Sequence, residues 1–332
     1  MKQKAISPVD DYFKKIDLEK KEDEIIKSIS QKTGFVLKEI IYKSRYFTKG
    51  VGAFVMKGEI KKEKVVVKVQ GPKPEINEID MINNFKKQNK SKLIRAPRII
   101  KYFPRKIGQE WEVIVMEDVK GKKIIESGKL ASKRQIKEFF DVWEEYKKNC
   151  VNKAWLSRPE KNISYFSSFS KLVKIREDSE GKELIKVEDE KLIKKTVLFL
   201  DRKFKKIEPV FLHGHLSCHD LIKFKGKVVI FSNLFWKYRW PLYDLVFAYE
   251  WYLLSIAHEN IEKIKKQIEW WKEVMSNTKE AKKQSKNYHL ALLERMTAAL
   301  NLDILMIAEI KDRKKMKTIL IKEIKRIRKL FN

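Results

Sequence analysis

Apolar residues recur at helical spacing between Asp17 and Gln31. After Gly34 the pattern changes to short runs rich in β-branched and aromatic residues: Phe35-Val36-Leu37, Ile40-Ile41-Tyr42, Phe54-Val55-Met56 and Val65-Val66-Val67-Lys68-Val69. This predicts a helix followed by an antiparallel meander. Gly71-Pro72-Lys73-Pro74 breaks the strand pattern, and Ile76, Ile79, Ile82 and Phe85 then fall three residues apart, which predicts a helix over 75–87. Two further strands are predicted over 98–103 and 111–116, and Glu117-Asp118-Val119-Lys120-Gly121 reads as an exposed connector.

From Ser132 onward the period is mainly helical, over 135–149, 188–203, 243–258, 261–275 and 289–310. One β-like island, 209–232, interrupts it, with Gly226 as a hairpin turn between short strands, and it holds three of the five His residues. The pattern is that of an α+β, bilobal chain. Its smaller N-terminal lobe, 1–117, has an N-terminal helix, an antiparallel sheet and one helix on that sheet, and its larger lobe, 118–332, is mainly helical.

Composition narrows this reading. The chain has 332 residues, of which 43% are hydrophobic, enough to bury a sizeable core. At roughly 100–200 residues per domain this suits two lobes. With 11 Gly and 8 Pro, collagen-like and linker compositions are excluded. The start lacks the apolar centre of a signal peptide, and no stretch approaches the ~18 uncharged apolar residues of a membrane span, so a cytoplasmic protein without a transmembrane segment is expected. Cys150 and Cys218 are far apart and read as reduced thiols.

Lys+Arg 75 against Asp+Glu 45 gives 75 − 45 = +30. Such a charge favours polyanions through counterion release. Only 13 of the 75 basic residues are Arg, however, and scattered Lys describes solvated faces rather than phosphate clamps. The local exception is 311–332, where Met316, Ile319, Leu320, Ile324, Ile327 and Leu330 recur at helical spacing among Lys and Arg. A basic amphipathic helix of this kind can make a weak polyanion or membrane-surface contact. The same stripe can instead dock on the rest of the protein, and docking is the expectation for this chain.

Four marks then appear in order. Thr48-Lys-Gly50-Val-Gly52-Ala-Phe-Val55 lies between strands. Lys68 interrupts an apolar strand, where a buried ammonium requires a partner, and Glu78 or Glu75 follows on the next helix. Ile114-Val-Met116-Glu117-Asp118-Val-Lys-Gly121 leaves a strand. The fourth is His213-Gly-His215-Leu-Ser-Cys-His219-Asp220, followed by Val228-Val-Ile-Phe-Ser232 and Pro241-Leu-Tyr-Asp244.

Together these resemble the aminoglycoside phosphotransferase and choline kinase branch of the protein-kinase-like superfamily, over most of the chain. The resemblance implies ATP as cofactor, with Gly50 and Gly52 over the phosphates, Lys68 paired with Glu78 on the α/β-phosphates, and Met116, Glu117 and Asp118 at the adenine edge. It also implies a hydroxylated small molecule or a protein as partner. The family pattern runs His-Gly-Asp-Leu, three residues, Asn, and about a dozen residues later Ile-Asp; this chain has His215, Asp220 and Ser232 at those points. His215 stands where the family has its catalytic Asp, and Asp220 and Ser232 stand at the magnesium positions. Ser232 brings a neutral hydroxyl where a hard cation prefers an anionic oxygen, so magnesium binding is expected to be weakened.

The expected function is therefore that of a pseudokinase with impaired or absent phosphoryl transfer and a retained nucleotide cleft. Two alternatives stand beside it. One is an active, atypical ATP-dependent small-molecule phosphotransferase using His215 and Asp220, since imidazole is a competent base near neutrality. The other is a metal-binding protein in which His213, His215 and His219, with Cys218 and Asp220 nearby, hold a transition metal. Ser217 and Cys218 lack the nucleophile-elbow context of a hydrolase.

Overall fold

The computed structural model describes residues 18–43, 53–70, 77–104, 111–151, 153–158, 169, 170, 173 and 184–331. The chain divides into two compact units, Met1–Asn83 with Ala96–Lys120, and Asn84–Arg95 with Gly121–Asn332.

The first unit begins with helix α1 (Leu18–Thr33) and an antiparallel sheet of β1 (Val36–Lys43), β2 (Ala53–Ile60), β3 (Glu63–Gln70), β5 (Ile99–Phe103) and β6 (Glu112–Glu117), in the order β1-β2-β3-β6-β5. Alternation decides its two faces. Val65, Val67 and Val69 of β3 bury into a core with Ile25 and Ile29 of α1, Phe35, Phe54, Met56, Val113 and Val115, which leaves Val66 and Lys68 on the other face. Helix α2 (Glu78–Gln88) follows β3, with acidic Glu78 and Asp80 in its first turn, where they complement the helix dipole.

The sequence pattern places a single lobe boundary after residue 117, but the second unit also claims Asn84–Arg95. The reason is pairing: β4 (Ile94–Arg95) runs parallel to β10 (Lys227–Ile230), which pairs with β9 (Leu221–Phe224), which pairs with β7 (Lys122–Lys123). A second small ladder joins β8 (Val210–Leu212) to β11 (Lys237–Arg239).

The described helices of the second unit include α3 (Lys133–Asn149), α4 (Val187–Phe204), α5 (Tyr243–Ser255), α6 (Ile261–Ser276), α7 (Lys279–Lys283), α8 (Ser285–Asn301) and α9 (Ile310–Lys329). Ser132 and Gln135 form a capping box that starts α3. α5 is buried along almost its whole length, so its sequence carries little amphipathic signal. Trp271 of α6 is fully buried among Phe139, Phe140, Tyr249 and Tyr252.

Two expectations are corrected. The helix expected over 289–310 starts at Ser285 and stops at Asn301, because Leu302 leaves helical geometry (φ −139, ψ −50) and Arg295 bonds Asp303 at 2.7 Å in the 3₁₀ turn that follows. Of the two readings of 311–332, internal docking is found and insertion of the stripe into a lipid surface falls. Met316, Ile319, Leu320, Ile324 and Ile327 are buried and α9 packs on α8, so the stripe that would enter a lipid surface is spent internally; Leu330 alone of that set is exposed, at 54%. Among the described residues no helix is long and apolar enough to cross a membrane.

Ile324→Ala should therefore lower the unfolding free energy by about 2–5 kcal/mol, as cavity-forming core truncations do. Lys325→Gln, on the exposed face of the same helix, should stay within about 0.5 kcal/mol. Urea denaturation of the two variants checks this.

Candidate functional site

In the sheet unit, the Lys68 ammonium meets Glu78 Oε2 at 2.5 Å, with 15% and 4% of their side chains exposed. Strand alternation puts Lys68 on the face opposite the valine core, and the first turn of α2 supplies the carboxylate that a nearly buried ammonium requires. Met116 is buried, its backbone paired with Val66 on one side and Ile99 on the other. The Glu117 N–H donates to Arg98 O at 3.0 Å, and its carboxylate accepts from the Arg98 N–H at 2.7 Å. Of the three residues expected at an adenine edge, only Asp118 lies outside the strand pairing. Gly50, Gly52 and Glu75 lie outside the described residues.

In the helical unit, the segment after β8 is braced from below. Asp244, in the first turn of α5, accepts from the N–H groups of His213 (3.1 Å) and Gly214 (2.9 Å) and from the Tyr146 hydroxyl (3.0 Å), and that hydroxyl in turn accepts from His213 N–H at 2.7 Å. Burial pushes the Asp244 carboxyl up to about 6, against the opposing hydrogen bonds of Tyr146 and Gly214. Gly214 has φ +75, and a Cβ there would stand 2.5 Å from Phe235 O, so this loop admits only glycine without rearrangement. His213 is a buried strut: its Nε2–H donates to Phe231 O at 3.0 Å, and burial holds its pKa down to about 3, which keeps it neutral.

Above this floor the three replaced positions meet. Asp220 Oδ2 accepts from Ser217 Oγ at 2.7 Å and from His215 Nδ1 at 3.3 Å, while Asp220 Oδ1 accepts from Ser232 Oγ at 2.7 Å. Ser232 sits in the left-handed region (φ 58, ψ 35), a conformation uncommon for a residue with a side chain, and it spends its hydroxyl on Asp220. Burial would raise the Asp220 carboxyl, but hydrogen bonding and charge from His215, then the bonds from Ser232 and Ser217, outweigh it and hold the group below the usual carboxylate range. The His215 ring stacks on Phe235 (4.4 Å between centroids, 21° between planes) beside Phe247 (4.8 Å), leaving 31% of the side chain exposed.

This donor set does not fit a divalent cation. A carboxylate offers about four lone-pair sites, and three at Asp220 already accept hydrogen bonds; Ser232 adds a neutral hydroxyl turned toward Asp220. The transition-metal reading is overturned. Among the described residues no three His, Cys, Asp or Glu side chains converge on one point. His213 is committed to Phe231 O, and His215 to an aromatic wall and Asp220. Burial lowers His219 to about 4 and raises Cys218, the behaviour of packed and unreactive groups.

Sequence reasoning identified His215, Asp220 and Ser232 singly but not the bonds among them. It missed Tyr146, whose hydroxyl is invisible in an amphipathic helix pattern, and the role of Ser217, for which the signal was its place three residues before Asp220.

Gly214→Ala should destabilise the protein or abolish soluble expression, read as loss of the cooperative thermal transition. For Asp244 the sign follows from linkage. A carboxyl whose native pKa is raised stabilises the fold fully below about 3.8 and loses that contribution as pH rises through about 6. The stability of wild type relative to Asp244→Asn should thus decline from about pH 4 to about pH 6 and then level off, measured by urea denaturation at stepped pH.

No known family pattern and no curated protein matches the chain. Solved structures do. A thermostable mutant of aminoglycoside phosphotransferase APH(4)-Ia is similar with TM-score 0.56 at 8% identity, over 90% of this chain and 98% of its own. Choline kinase from Cryptosporidium parvum is similar with TM-score 0.55 at 12% identity, over 93% and 97%. The amicoumacin kinase hAmiN, in complex with AMP-PNP, Ca²⁺ and Ami, is similar with TM-score 0.54 at 13% identity, over 93% and 96%. At such identities the likeness concerns the backbone, and the chain has the α+β kinase-like fold of aminoglycoside phosphotransferases and choline kinases.

Proposed function

We propose that this chain is a pseudokinase: a kinase-fold protein in which phosphoryl transfer is impaired or absent and which acts by binding a nucleotide together with a hydroxylated small molecule or a protein partner. The observation that carries this reading is the closed set around Asp220. The family pattern calls for Asp, Asn and Asp at these three points: a catalytic carboxylate, then an amide and a carboxylate that hold the metal. Here His215, Asp220 and Ser232 supply one carboxylate, and its neighbours satisfy it. Loss of a positioned base costs ~10²–10⁴ in rate, or roughly 3–5.5 kcal/mol of barrier, before any loss of metal is counted. The Lys68–Glu78 pair supports retained nucleotide binding, since the family uses such a pair at the phosphates.

One observation favours a second reading, an atypical phosphotransferase. His215 is joined through Nδ1 to Asp220, the arrangement that orients an imidazole as a base, and its ring is partly open to solvent. Turnover decides between the two.

Calorimetric titration with ATP, with and without Mg²⁺, should show binding to wild type that gains little from the metal, and labelled ATP should transfer no phosphate to a panel of hydroxylated metabolites. The His215→Asp, Ser232→Asp double variant places carboxylates around Asp220 that repel without a cation, so its ATP binding should become Mg²⁺-dependent. Transfer by wild type at an ordinary kinase rate would replace this reading with the second, and strong Mg²⁺ dependence in wild type would contradict the site assignment.

A further inference from the structure

We infer that the helical unit carries a binding site for an anionic group, a carboxylate or phosphate borne on an apolar body, built around Arg239. The inference goes beyond the pseudokinase reading and holds whether or not phosphoryl transfer survives.

Arg239 ends β11, opposite Val210 in the ladder with β8. Residues two apart on a strand share a face, so Lys237 and Arg239 lie on one side of β11, while Tyr238 packs on Phe211. The Arg239 guanidinium stands 4.8 Å from the centroid of the Tyr243 ring. It is half-buried, its Nε is buried without a hydrogen-bond partner, and among the described residues it has no ion pair. A charge withdrawn from water without a counter-charge is costly, so an unmatched guanidinium here calls for an anion.

The same ring supplies an internal comparison. Arg295 approaches Tyr243 at 5.2 Å, and the fold surrounds it with acids: Glu250 accepts from Nε and from a terminal nitrogen, Asp303 accepts from the latter at 2.7 Å, and the Tyr243 hydroxyl accepts from the other at 3.1 Å. At Arg295 the fold provides the carboxylates. Beside it, at Arg239, no ion pair is found among the described residues.

The surroundings define the rest of the ligand. Leu212, Tyr243 and Phe247 form an apolar cluster against which Val210 and Trp251 pack, and the Trp251 indole nitrogen is also buried without a partner. Lys237 lies beside Gly214, and His215 adjoins Phe247 at 4.8 Å. An imidazole and an unspent indole N–H thus border the aromatic cluster that carries Arg239. An aromatic wall alone would suit a cationic ligand through ring faces, but the Tyr243 ring already carries two guanidinium groups. A guanidinium with free terminal nitrogens binds a carboxylate or phosphate through its planar fork.

The test is titration of the full chain, followed by calorimetry and tryptophan fluorescence, with phenyl phosphate, benzoate, inorganic phosphate and benzylamine at about 0.15 M salt, where long-range attraction to the net charge is screened. At least one aromatic anion should bind more tightly than inorganic phosphate, and the tighter of the two names the group. Arg239→Gln should weaken it at least tenfold, whereas Lys314→Gln, an exposed site that removes the same charge, should leave it unchanged. If Arg239→Gln loses its far-UV circular dichroism, Arg239→Lys carries the test: it keeps the charge without the fork and should weaken binding at least threefold. The inference is overturned if neither aromatic anion binds wild type, if the Arg239 variants bind as wild type does, or if benzylamine binds as well as the anions.

Discussion

Asp220 bears the only carboxylate among the three loop positions at which phosphoryl-transfer chemistry would be expected, and three side chains, Ser217, Ser232 and His215, donate to it. The arrangement is self-sufficient. One negative charge, partly withdrawn from water, is met by two hydroxyls at 2.7 Å and an imidazole at 3.3 Å, so no external cation is required to stabilise it. The strained backbone at Ser232 belongs to the same constraint, since that conformation delivers the hydroxyl to Asp220 Oδ1.

This set rests on a separate, deeper layer. Asp244, Tyr146 and His213 fix the backbone of the loop through buried hydrogen bonds. The bracing layer sets the shape of the loop, and the layer above it offers a single carboxylate that its neighbours already satisfy. The Lys68–Glu78 pair in the other unit follows the same logic: the ion pair persists because a nearly buried ammonium without Glu78 would be expensive, whatever chemistry surrounds it. Lys68 is thus accounted for by its pairing with Glu78 and is not by itself evidence for catalysis.

Much of the fold was legible in the sequence because its signals are local. β3 declares itself by valines alternating about a lysine, α3 by its capping box and apolar face, and α9 by a stripe that the structure buries on α8. What stayed hidden depends on contacts between distant residues. The parallel pairing of Ile94–Arg95 with β10 draws a short stretch of chain into the other unit, and no periodicity announces a two-residue strand. The end of α8 depends on Arg295 reaching Asp303. At the site, residue identities showed where the chain departs from the pattern it resembles. That the replacements bond to one another, and that three nearby histidines point to unrelated partners rather than to one metal, required their directions in space.

The most direct test of the central claim is anomalous diffraction from crystals grown with an ATP analogue and soaked in Mn²⁺, a scattering stand-in for magnesium. The account predicts no manganese peak within coordination distance of Asp220, with Ser232 Oγ and Ser217 Oγ still bonded to its carboxylate. A manganese ion bound to Asp220 and the nucleotide phosphates, with those hydroxyls displaced, would contradict it.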